Sequence, residues 1–142
     1  MMRYFAPLVA PLVALLCIVS CGGTPAGPNT TGVNLQGAWH YVGLQTSNSR
    51  VSYDGTLTMT QQTGTSFTGG LDARSTTPEG IVLQVNAVVS GRLLSATAVD
   101  FDVQFIDDTR RHVGTIKGDS IKGNWVNDDL SSLGSFTMAR TH

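Results

Sequence analysis

Cysteine is nearly missing: the 142 residues hold two, Cys17 and Cys21, both near the N-terminus. From Gly22 onward there is no thiol, which excludes a disulfide, a thiolate metal ligand and a cysteine nucleophile. Charge is sparse as well. Asp, Glu, Lys and Arg make up 13% of the chain and the net charge is −1. Apart from Arg110-Arg111 the basic residues are scattered, so there is no patch to hold nucleic acid. Histidine is limited to His40, His112 and His142; without His-x-His or His-Glu-x-x-His, no zinc site of recognised spacing and no metal cofactor is indicated. Gly-x-Ser-x-Gly is missing, and the Gly114/Gly118 pair has no Lys-Ser/Thr after it, so neither a serine hydrolase nor a phosphate loop is indicated and the chain is not read as an enzyme. Apolar residues nowhere recur at helical spacing, and the apolar run from Ala6 to Val19, about 14 residues, is short of the ~20 that span a bilayer.

That run is nevertheless informative. Met1 to Phe5 carries one positive charge, Arg3, and every residue from Ala6 to Val19 is apolar or Pro, the two leading regions of a secretory signal. It ends in Ile18-Val19-Ser20-Cys21, which resembles the lipobox of bacterial lipoproteins. The resemblance implies a signal peptide over 1–20, cleavage before Cys21, a diacylglyceryl group on its thiol and acylation of the freed amine. Two or three acyl chains anchor stably, at ~0.8 kcal/mol per buried CH₂. The expected address is the membrane surface of the cell envelope; Gly22 rather than Asp after Cys21 favours the outer membrane in a host with two. Loss of Arg3 with the signal moves the net charge to near −2.

Residues 21–34 hold no large apolar side chain except Val33 and read as a Gly/Pro/Thr tether, with a typical reach of about 20 Å. Residues 35–142 suffice for one domain and one core. Eight alternating segments are expected, near 37–43, 53–62, 66–74, 80–91, 97–106, 110–117, 120–126 and 134–141. In Val99-Asp-Phe-Asp-Val-Gln-Phe105 the apolar residues face one way and the polar ones the other, as a period of two requires. Ile-Lys-Gly repeats on either side of Gly118-Asp119, a pair suited to a primed two-residue turn. Ser75 to Glu79, with Pro78, reads as a longer loop. Successive hairpins with no room for crossover helices predict an all-β fold, a small antiparallel up-and-down barrel of about eight strands, with no substantial helix after the signal peptide.

Gly37-Ala38-Trp39 at the start of the first segment and Arg140 at the end of the last resemble the signature of the calycin-type barrels, the lipocalins and avidins. The resemblance implies that Trp39 plugs one end of the barrel and Arg140 packs across its indole. It also implies a small-ligand module, although no Thr-Asp-Tyr motif appears and the stretch after Trp39 does not reproduce the biotin-holding loop of avidins.

Candidate chemistry is thin. Asp100 and Asp102 sit two apart on one strand face and are read as a solvated pair; Asp107-Asp108 and Asn127-Asp128-Asp129 are read as turns. His40, His112 and His142 are read as surface or strand residues. Trp125 is read as packing in the core, with stacking on a ligand as its alternative, and Gly123 beside it is a hint of internal space. Two functions follow. One is a lipid-anchored, lipocalin-like barrel binding a small apolar or amphiphilic molecule. The other is a filled barrel acting through its loops on an envelope protein, as protease inhibitors of this size do. Small inward residues would favour the first. Packed Phe, Trp, Leu and Met, with an ordered exposed segment, would favour the second.

Overall fold

Alternation of apolar and polar residues carries the chain through eight strands in a computed structural model, which describes residues 32–47 and 50–142. The signal peptide, Cys21 and most of the tether lie outside the described residues. The strands are β1 (Gly37–Gln45), β2 (Ser52–Thr63), β3 (Ser66–Thr76), β4 (Val82–Ser95), β5 (Ala98–Gln104), β6 (Thr109–Lys117), β7 (Ser120–Asn127) and β8 (Leu133–Arg140). Each is antiparallel to the next, and β1 closes on β8 from Trp39↔Arg140 to Gln45↔Gly134, giving a closed barrel in sequence order. No helix occurs among the described residues.

Turn chemistry sets the registers. Lys117 pairs with Ser120 across Gly118-Asp119; Gly118 has φ +57° whereas Asp119 is not in the left-handed region, the pattern of a type II′ turn. The outer wall is polar, as Asp54, Thr56, Thr58 and Thr60 on β2 illustrate, all four of them exposed. Inward positions are large: Trp39, Tyr41, Leu57, Met59, Phe67, Leu71, Phe101, Ile121, Trp125, Phe136 and Met138 are buried. The barrel is filled by its own side chains. Gly123 does not open a space within it. A Cβ there would sit 2.0 Å from the Val113 carbonyl oxygen of the adjacent strand. The glycine marks a close approach of two backbones, and the internal space expected beside it does not exist.

Strand lengths are unequal, and that inequality shapes one end. β4 has 14 residues and β5 has 7. β4 pairs with β3 from Val82 to Arg92 but with β5 only from Val88. The β3–β4 hairpin therefore rises above the β5–β6 turn. Its loop lies two residues later than expected, because Ser75 and Thr76 belong to β3 and Thr77 to Ile81 closes with Thr77 N–H donating to the Ile81 carbonyl at 3.0 Å.

Candidate functional site

The chain enters the barrel at its closed end. Trp39 is fully buried, its indole N–H donates to the Leu35 carbonyl at 2.9 Å, and the Arg140 guanidinium lies 4.3 Å from the ring centroid. Arg140 also donates to the carbonyls of Gln36 (2.7 Å) and Asn34 (2.6 Å) and pairs with Asp119 at 3.1 Å. Gly37, at φ +116°, would place a Cβ 3.4 Å from that guanidinium. Gln62 holds the incoming segment as a short strand would: its side-chain oxygen accepts from Leu35 N–H at 2.7 Å and its NH₂ donates to the Val33 carbonyl at 2.9 Å. Residues 33 and 34, read from sequence as tether, are thus bonded to the barrel floor. This end is sealed and structural.

Halfway up the barrel stands a polar group that the sequence offered only as a surface or strand residue. His112 is fully buried, stacked on Phe101 at 4.7 Å and edge-on to Phe136 at 4.9 Å. Its Nδ1 lies 2.9 Å from the Arg110 carbonyl and its Nε2 3.0 Å from the Tyr41 hydroxyl. A carbonyl only accepts, so Nδ1 carries the proton and Nε2 accepts from Tyr41. Burial holds the imidazole neutral, lowering its pKa to about 3, and pushes the Tyr41 phenol up. A neutral, fully bonded histidine is a core residue. The available signal was parity: His112 alternates with Arg110, Gly114 and Ile116, the inward set of β6.

Above it lies the mouth. The Arg110 guanidinium is enclosed by three rings, 4.8 Å from Tyr53, 4.7 Å from Phe105 and 4.6 Å from Trp125, and its Nε donates to Asp108 at 2.7 Å. Trp125 is buried at 2% exposure and its indole N–H has no partner among the described residues. It packs on Arg110 and offers no open face to a ligand. Where β4 overtops the β5–β6 turn, a notch of about 360 Å³ opens, with Tyr53, Val85, Phe105 and Arg110 among its walls and Gln84, Asn86 and Asp107 at its rim. Asp107 and Asp108 against the single guanidinium leave it slightly acidic.

A larger depression, about 580 Å³, lies on the outer wall beside Arg92, Asp100, Asp102 and Arg111. Arg111 grips Asp100 with two bonds, 3.0 and 2.8 Å, and holds its carboxyl below the usual range. Ionised and neutralised, Asp100 is not poised to move a proton, and Asp102 is exposed. The other oxygen-rich segment is consumed locally: Asn127 and Asp129 accept from the Ser132 and Ser131 amides, each at 2.8 Å. Among the described residues no three His, Cys, Asp or Glu side chains gather as a metal site.

No protein-family model matches the chain, and no curated protein matches it. Solved structures do. It is similar to a redesigned β-barrel, mFAP1, bound to DFHBI, with a TM-score of 0.60 at 11% identity over 75% of this chain and 94% of that one. It is also similar to a barrel from the de novo design of a fluorescence-activating β-barrel, with a TM-score of 0.53 at 21% identity over 75% of this chain and 93% of that one. At such identities the likeness concerns the fold: an eight-stranded antiparallel barrel.

Proposed function

We propose that this chain is a lipid-anchored, non-catalytic interaction module of the bacterial cell envelope, tethered through Cys21, that meets a partner protein with the β3–β4 hairpin at its open end. The observation carrying this reading is that hairpin. Ile81, Val82 and Leu83 stand beyond the barrel wall at 57, 55 and 58% exposure, on an ordered, hydrogen-bonded loop. Large apolar side chains grouped in the open on a protruding tip mark an interaction site. The filled interior supports the same reading, because a lipocalin-like ligand would need the space that Phe67, Phe101, Phe136 and His112 occupy. Geometry aligns with the anchor: the tether joins at the closed end, so the hairpin, at the opposite end, faces away from the lipid.

A photo-crosslinking amino acid at position 81 of the full chain, expressed in the producing host, tests this directly. One discrete protein adduct is expected there and none from the outward wall position 137. No adduct at 81, or the same adducts at both, overturns the proposal. The small-molecule reading keeps one supporting observation, the 360 Å³ notch, which lies within the ~300–1,000 Å³ of ligand sites; mFAP1 binds DFHBI in a barrel of this fold. Native mass spectrometry showing a metabolite of a few hundred daltons, lost in Phe105→Ala, would favour it instead.

A further inference from the structure

The interaction module proposed above has an unfinished ladder beside its hairpin. Leu93 N–H donates to the Thr65 carbonyl at 2.8 Å and the Ile81 carbonyl accepts from Thr77 N–H at 3.0 Å. Between them the β3–β4 register runs without a shift. Hydrogen-bonding direction alternates along a strand, so the odd residues Leu83, Val85 and Ala87 spend their main-chain groups on β3. The even residues Val82, Gln84 and Asn86 turn theirs the other way, where β5 does not begin until Val88. Three successive N–H and C=O pairs thus face the notch, and no strand of the described residues lies beside them.

We infer that Val82–Ala87 is a pairing edge, and that its occupant is an extended segment of a partner protein, added as a further strand above the β5–β6 turn. This deepens the proposed function by naming how the partner binds, and it rests on that reading. A row of alternating donors and acceptors about six residues long is matched by another extended backbone. Side-chain preferences follow from the pleat. Residues opposite Leu83 and Val85 point into the notch, over Tyr53 and Phe105, and should be apolar. The rim carries exposed Asp107, with Asp108 beside it, so basic residues belong at the alternate positions. The same acidic rim argues against a second copy of this chain, whose edge would pair symmetrically about Gln84 and bring like charges together.

Proline separates this edge from a merely exposed one. At position 84 it removes an N–H that β3 does not use; at position 85 it would remove one that β3 needs. The probe is a capped seven-residue peptide alternating valine with lysine, added to the full chain in detergent and followed by amide hydrogen exchange. Exchange at Gln84 and Asn86 should slow at least tenfold, with no change at Leu83 and Val85. Gln84→Pro should abolish peptide binding at unchanged melting temperature, and Gln84→Ala should retain it. No protection in the wild type, or equal binding by Gln84→Pro, overturns the inference. Protection that rises with protein concentration alone assigns the edge to a second copy and overturns the partner. An adduct at position 81 without peptide protection would leave the interaction module standing and remove strand addition.

Discussion

His112 ties the stability of the barrel to pH. Its native pKa, about 3, lies below the ordinary value of 6.5. Between those values the unfolded chain takes up a proton that the native core refuses, so stability falls as pH drops, by ~1.4 kcal/mol per unit. Urea unfolding at pH 7 and pH 5 should differ by about 2 kcal/mol in the wild type and by much less in His112→Gln. Asp100 does not confuse that window, since Arg111 holds it below 3.8. Tyr41→Phe leaves the imidazole acceptor unpaired in the core and should cost about 1–2 kcal/mol at pH 7 in the same assay. Neither residue stood out in the sequence. A lone histidine between Arg111 and Val113 looks exposed until strand parity is followed through Gly114 and Ile116, and its partner Tyr41 is 71 positions away. Arg110 was equally hidden: in the sequence it is one member of a basic pair, and only the convergence of Tyr53, Phe105 and Trp125 around it supplies the three rings.

At the scale of the strand, the legible part was what depends on neighbours in sequence. Val99, Phe101 and Val103 are buried with Asp102 and Gln104 exposed, and the Gly118-Asp119 turn sits at the centre of its hairpin; both follow from local period and local turn chemistry. What stayed illegible depends on pairing between strands. The notch exists because one strand outlasts its neighbour, and no local pattern states how far two strands overlap. Gly123 was misread for the same reason: a missing side chain looks like room until the adjoining backbone is seen to occupy it. Gly123→Ala should therefore cost about 2–3 kcal/mol, since the new methyl meets main chain that cannot swing aside. Gly64→Ala, at φ +60° with nothing within 4 Å, should cost only about 1 kcal/mol, from backbone strain. Thermal melts of the two variants decide whether close approach or turn conformation governs the glycines of this barrel.

For the whole molecule, anchor and barrel are expected to be independent. Cys21 precedes the first described residue, Gly32. With the anchor proposed above, the wild type should carry an added lipid mass that Cys21→Ser lacks, at unchanged melting temperature; intact-mass and thermal measurements on the pair check both halves. Closure adds a geographical consequence. Thr141 N–H bonds the Ala38 carbonyl at 3.0 Å, which pins the residues after β8 to the closed end of the barrel, beside Asn34 and Gln36. With the lipid anchor proposed above, an epitope or fluorescent reporter fused after His142 should be wedged between barrel and bilayer and masked from antibodies on intact cells. The same reporter inserted at Leu130, in the β7–β8 turn, would stand at the opposite end of the barrel, so in the proposed orientation cargo position should decide whether labelling reaches it.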